Sequence, residues 1–239
     1  MPAGVANRFA GMHNPTKAPC AVLFDAYGTL FDVYSVGLLA EQLFPGHGER
    51  LALLWREKQI DYTRLLTMSG RYRPFWELTR AGLRYAAARL SLPLDAAAEE
   101  QLMNQYRHLS AFPENREVLV ELKRRGIVAG ILSNGDPQML DVAVKSAGFA
   151  ELLTPVLSVH GVRRFKTDPA AYAIGPEALK LAASEILFVS SNGWDAIGAT
   201  WFGYTTLWVN RAGLPPEQLD TSPTRTGSSL RDVLNFFPV

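Results

Sequence analysis

The run CAVLFDAYGTLFD, from Cys20 to Asp32, begins with five apolar residues, stops at Asp25 and turns at Gly28. Such a run reads as a buried strand carrying a carboxylate at its C-terminal tip. The pattern recurs downstream. Gly126 to Leu132 ends at Ser133, Asn134 and Gly135, Ile186 to Val189 ends at Ser190, Ser191 and Asn192, and Thr205 to Val209 ends at Asn210. Apolar runs with polar tips, separated by helical patterns, predict an α/β fold: a Rossmann-like parallel sheet with helices on both faces. Ligands bind beyond the C-terminal ends of such strands, so these polar tips should converge.

About ninety residues separate the first two strands, far more than a parallel crossover needs. An inserted helical lobe over the strand tips is therefore expected across 33–112, with the core formed by 19–32 and 113–239 and a loose tail over 1–18. Within the insertion Leu51, Leu54, Trp55, Tyr62, Leu65 and Leu66 suggest one buried face, and Leu78, Leu83, Ala86, Ala87 and Leu90 another. Pro74 breaks the pattern, Leu92 and Pro93 break it again, and Asp95 is placed to cap the next helix. Asn115 to Arg125 reads as the helix that returns to the core. Pro215 to Ser229 reads as a surface loop before a short helix, Leu230 to Phe237.

The 239 residues are 48% hydrophobic and 20% charged, a composition that suits a folded domain with a sizeable core. With 24 Lys and Arg against 23 Asp and Glu, no overall field draws the protein to nucleic acid or to an anionic membrane. No stretch approaches the ~20 apolar residues of a membrane span, and no secretory signal is visible, so a cytoplasmic location is expected. Cys20, the single cysteine, is expected to be a buried thiol in a reducing compartment. His13, His47, His108 and His160 are scattered without metal-ligand spacing, so no metal and no cofactor are expected.

The segment FDAYGTLFD, the SNG at Ser133 to Gly135, Lys166, and the SSNGWD from Ser190 to Asp195 stand in the order of the motifs of the haloacid dehalogenase superfamily. The chain from Cys20 to its end resembles that superfamily. WREKQ at Trp55 to Gln59 and ILSNG at Ile131 to Gly135 are similar to its (S)-2-haloacid dehalogenase branch. Most of the superfamily are magnesium-dependent phosphatases, with a second Asp two residues after the nucleophile as general acid and base. Here that position is Tyr27, and the position four residues before Asp195 is Ser191 rather than an acid. A carbon–halogen bond needs no proton on its leaving group, so the loss of that acid suits halide displacement.

The resemblance implies that Asp25 attacks C2 of a small 2-haloacid, expels halide with inversion and forms an ester that water then opens. An isolated Asp after a strand more often caps a helix; the surrounding motif points to chemistry instead. Lys166, otherwise an ordinary surface lysine, would keep the nucleophile ionised, with Tyr172 beside it. Arg56 reads as a solvated charge on its own, but the matching arginine takes the departing halide, a task that suits a permanently charged guanidinium. Asn134 shares that cradle. Ser133 and adjacent amides, at a strand tip that opens a helix, would grip the substrate carboxylate. Thr29 would bond Asp25 or that carboxylate, or else its own turn. Ser190, Asn192 and Asp195 would surround Asp25 and place the water, and the sequence does not choose which group takes the water's proton. Tyr27, Ile60, Phe75 and Trp194 match the family's hydrophobic wall, although core packing is the default for such residues. Thr167 stands where dehalogenases commonly carry Pro, a departure expected to loosen the loop without removing a catalytic group. The resemblance also implies a homodimer. The rival readings are a phosphatase with a degraded magnesium site and a catalytically silent scaffold.

Overall fold

A computed structural model describes residues 18–238, and the tail expected over 1–18 lies outside the described residues apart from Ala18. Six parallel strands form one sheet in the order β3-β2-β1-β4-β5-β6. The central strand β1 (Ala21–Phe24) pairs with β2 (Val128–Ser133) and with β4 (Ile186–Ser190), aligning Phe24 with Ile131 and with Val189. Every residue of β1, β4 and β5 (Thr205–Val209) is buried, which is why these strands read as continuous apolar runs rather than as alternation. The chain leaves β1 for β2 on one side and reaches β4 on the other, so strand order reverses at the tip of β1. In such sheets that reversal opens a crevice, and Asp25 sits in it.

Two strands are absent from the sequence reading. β3 (Val156–Ser158) and β6 (Arg225–Gly227) are three-residue edge strands, half-buried or exposed, held by main-chain pairing to β2 and β5. The stretch expected to be a loop from 215 to 229 therefore contains a strand, because Arg-Thr-Gly carries no apolar pattern to announce one. The terminal segment Leu230–Phe236 is a 3₁₀ helix, capped by Ser229 and Asp232.

Four helices lie between β1 and α5 (Asn115–Arg124): α1 (Val36–Leu43), α2 (Gly48–Met68), α3 (Phe75–Arg89) and α4 (Ala96–Arg107). Pro74 directly precedes α3, and Asp95 caps α4 by accepting from the Ala98 amide at 2.8 Å. The long α2 packs against α1 and α3. Its buried stripe runs Leu51, Ala52, Trp55, Arg56, Gln59 and Thr63, adjacent or three to four residues apart, which keeps them on one face of the helix. Leu65, expected on that face, is 57% exposed because it lies nine residues from Arg56, on the opposite side of the helix. Arg56, Gln59 and Thr63 are polar residues on the buried stripe, the signature of a helix that faces a site. The two connections to the sheet run side by side: the Asp32 amide donates to Ser110 O, the Phe112 amide to Leu30 O, and Phe31 bridges Ala111.

Cys20 is exposed rather than buried. It precedes β1 at the N-terminal edge of the sheet, where both its amide and its Sγ donate to Glu185 O, at 2.9 and 3.7 Å.

Candidate active site

Asp25 follows β1 directly, and its amide extends the ladder to Val189 O at 2.8 Å. The residue is 6% exposed, and both side-chain oxygens are engaged. Oδ1 accepts from Lys166 Nζ at 3.1 Å; Oδ2 accepts from Thr29 Oγ1 at 3.0 Å and from Asn192 Nδ2 at 2.9 Å. Lys166, 1% exposed, also donates to Asp195 Oδ2 at 3.0 Å, and Tyr172 OH donates to Asp195 Oδ1 at 2.8 Å. Two carboxylates thus share one buried ammonium. Burial pushes the Asp195 carboxyl above the usual carboxylate range, Lys166 pulls it back, and Asp25 pushes it further up. Burial also raises the Tyr172 phenol, so it stays a neutral donor.

The turn after Asp25 requires Gly28, whose φ of +96° is a conformation other residues rarely adopt. It carries Thr29 back to the nucleophile and leaves the Tyr27 carbonyl facing Arg56. Of Ser190, Asn192 and Asp195, expected to surround Asp25, only Asn192 hydrogen-bonds to it. Ser190 Oγ accepts from the Asn192 amide at 3.1 Å, and Asp195 acts through Lys166.

Arg56 is not a solvated charge. It is 7% exposed and donates to Tyr27 O at 2.9 Å and to Asn192 Oδ1 at 3.3 Å. Asp25, Tyr27, Arg56, Ile60, Thr63, Phe75, Ser133, Asn134, Asn192 and Trp194 line one cleft between the strand tips and the inserted helices. Tyr27 packs against Phe75 and Tyr106, with ring centroids 5.6 and 5.8 Å away. Thr63 was missed by sequence reasoning, although its spacing of seven from Arg56 on one helix was a usable signal.

Ser133 is buried at the tip of β2 and its Oγ accepts from the Gly135 amide at 3.1 Å. It does not cap the next helix. α6 (Pro137–Ser146) opens with Asp136 at the cap position, and even that carboxylate is turned away from its own helix. Asp136 accepts instead from the Phe75 amide at 3.0 Å and the Trp76 amide at 2.8 Å, capping α3 across the cleft. Pro74, at the start of α3, has no side-chain acceptor to offer, and Asp136 supplies it. His160, beside Asp136 at 3.3 Å and Tyr72 at 2.9 Å, sits in the same seam. Gly135 is required here by close approach, since a Cβ would stand 2.6 Å from the Tyr27 ring. Asn134 Oδ1 accepts from the Lys166 amide at 2.9 Å and joins the two loops. Thr167, expected to loosen its loop, is joined to Lys166 by a cis peptide bond, and on either side of it the Lys166 amide donates to Asn134 Oδ1 and the Asp168 amide to Phe165 O.

A magnesium site is poorly supported by these residues. The hydroxyl of Ser191 accepts from Arg211 Nη1 at 2.8 Å, which places a guanidinium where the phosphatase pattern brings a carboxylate. Asp195 is committed to Lys166 and Tyr172. Magnesium needs several free hard oxygens, and among the described residues no three His, Cys, Asp or Glu side chains gather to hold a metal.

The model of the haloacid dehalogenase-like hydrolase family matches residues 21–203. The (S)-2-haloacid dehalogenase of Pseudomonas sp. (strain YL) is 44% identical over 216 residues, covering 90% of this chain and 93% of that protein. Haloacetate dehalogenase H-2 of Moraxella sp. (strain B) is 39% identical over 219 residues, covering 92% and 98%. A crystal structure of an L-2-haloacid dehalogenase superposes with a TM-score of 0.90 at 59% identity, covering 92% of this chain and 99% of that one. The L-2-haloacid dehalogenase of Xanthobacter autotrophicus with chloropropionic acid covalently bound superposes with a TM-score of 0.85 at 35% identity, covering 91% and 97%. The chain belongs to the haloacid dehalogenase-like hydrolase family, among the (S)-2-haloacid dehalogenases.

Proposed function

We propose that this protein hydrolyses (S)-2-haloacids to (R)-2-hydroxyacids through an ester on Asp25, without a metal ion. The observation that carries this reading is the double anchoring of Asp25 at the floor of a cleft whose neighbouring position, Tyr27, is aromatic. Thr29 and Asn192 fix one oxygen and Lys166 the other, so the carboxylate faces the cleft in one orientation. An Asp25 oxygen attacks C2 as the carbon–halogen bond breaks, and the electron pair leaves with the halide toward Arg56. Ser133 and the adjacent amides hold the substrate carboxylate, Asn134 shares the halide cradle with Arg56, and Tyr27, Ile60, Phe75 and Trp194 wall the alkyl side. Water then adds to the Asp25 carbonyl carbon and loses a proton. The hydroxyacid departs with the original carboxylate oxygen. Water exclusion by the aromatic wall strengthens the polar contacts inside. Helices α1–α4, residues 33–112, act as a cap on a core of 19–32 and 113–239.

The test is halide release from (S)- and (R)-2-chloropropionate in EDTA, alongside p-nitrophenyl phosphate with Mg²⁺. Chloride from the (S) form alone is expected. Phosphate release without halide would overturn the reading.

The same reading includes a homodimer in the cytoplasm. An apolar groove outside the site, between α1 and α2, supports the dimer: it is lined by Tyr34, Leu38 and Leu53, of which Leu38 is 77% exposed. Sedimentation equilibrium should give twice the chain mass, and Leu38→Asp with Leu53→Asp should give one chain; a wild-type monomer removes the proposal. The single cysteine is consistent with a reducing compartment. Among the described residues, no helix is long and apolar enough to cross a membrane.

A further inference from the structure

Arg56 is a buried cation held by neutral groups only. Its Nη1 donates to Gln59 Oε1 at 2.8 Å, and its Nη2 donates to Tyr27 O and Asn192 Oδ1. Among the described residues no carboxylate lies within ion-pair distance of it. Burying a guanidinium without a counterion is unfavourable, and neutral dipoles offset part of that cost while leaving the net charge unspent.

The amide of Gln59 could in principle face Arg56 with either end, and an NH₂ turned toward the guanidinium would repel it. Its neighbours forbid that. Thr79 Oγ1 donates its one proton to Phe75 O at 2.8 Å, so it can only accept from Gln59 Nε2, at 2.6 Å. Gln59 Oε1 is thereby aimed at Arg56, and it also accepts from Tyr106 OH at 3.1 Å. Burial raises the Tyr106 phenol, which therefore brings no negative charge. Gln59 and Thr79 are fully buried. On its other side Arg56 sets the amide of Asn192 in the same way: Oδ1 faces the guanidinium, and Nδ2 is left to donate to Asp25 Oδ2. One chain of directed hydrogen bonds thus runs from the main chain of the pocket-wall residue Phe75 to the nucleophile.

We propose that Gln59, oriented by Thr79 and Tyr106, is a positioning residue that aims Arg56 into the cleft through a neutral amide, so that its charge stays available to the departing halide. This rests on the function proposed above. Gln59→Glu keeps the size of the side chain but puts a carboxylate against Arg56. Bromide titration followed calorimetrically should show affinity lowered roughly ten- to hundredfold, the range expected for one hydrogen bond to a charged group. Turnover should fall with it, KM for 2-chloropropionate should move less, and thermal stability should not drop. Thr79→Val frees the amide to turn and should weaken bromide binding in the same direction, with Thr79→Ser restoring it.

Equal bromide affinity in wild type and Gln59→Glu, or binding by neither, overturns the proposal. So does a Thr79→Val loss that Thr79→Ser leaves uncorrected. The titration needs no turnover, so it remains decisive for Gln59 even if wild-type protein releases no halide, the outcome that would remove the proposed function instead.

Discussion

Asp25→Asn is expected to lose about 10⁴-fold or more in halide release while keeping its fold, because the variant lacks the attacking oxygen anion. The fold should survive because the substitution relieves a charge imbalance. Asp25 and Asp195 share the single ammonium of Lys166, and an amide at 25 leaves Lys166 paired one-to-one with Asp195. Thr29 and Asn192 retain an oxygen to donate to, and Lys166, which then faces the amide NH₂, keeps Asp195 as its acceptor. A mass spectrum should confirm that the amide has not reverted to a carboxylate. The complementary measurement is a single turnover of wild-type enzyme in ¹⁸O water. The label should appear in Asp25 and not in the first hydroxyacid released, since the product oxygen comes from the carboxylate. Label in the product of that turnover, or wild-type rates in the variant, would show that water attacks C2 directly.

Lys166→Met should lose both activity and stability, and its stability should depend on pH. Removing the ammonium leaves two buried carboxylates facing each other, and breaking a buried pair of this kind costs about 3–5 kcal/mol. Asp195 is already held above the usual carboxylate range by burial, and Lys166 is the strongest influence pulling it down. Without Lys166 its carboxyl should rise further. The folded variant then keeps a proton that the unfolded chain releases. Stability is fully present below the ordinary carboxylate range and falls as pH rises through the elevated range. Thermal melts should therefore place the variant nearest to wild type in acid and furthest from it near neutrality. A Tm difference that stays constant with pH would mean that Lys166 contributes packing alone.

The parts of this molecule that can be read from sequence are those in which one residue type has one physical explanation. β1, β4 and β5 are buried on both faces and so appear as apolar runs. The residues at or just beyond their tips, Asp25, Ser190 and Asn192, stand out because polarity returns abruptly there. β3 and β6 could not be seen, because edge strands held by main-chain bonds leave no demand on side chains. Leu65 and Cys20 show the opposite error, in which an apolar residue was taken to be inside although nothing required it to be. Gln59 and Thr63 were recoverable from their spacing to Arg56 along one helix. Asp136 and Arg211 were not. Their partners lie on other segments: Asp136 reaches the start of α3, and Arg211 reaches Ser191 and Glu114. Only the folded chain brings these segments together.

Asp136 also has a mechanical meaning. The inserted helices are tied to the sheet covalently at the paired connections around Phe31 and Ala111, and non-covalently where Asp136 grips the first amides of α3. Further ties cross the seam, from Arg56 to Tyr27 O and Asn192 Oδ1 and from the Phe165 amide to Thr67 Oγ1; with those released, a body fastened at two points keeps one rotation, about the line that joins them. Swinging on that axis would carry Arg56 away from the Tyr27 carbonyl while Phe75 stays near the axis. The aromatic side of the doorway is then its hinge post, and the arginine side is the edge that opens.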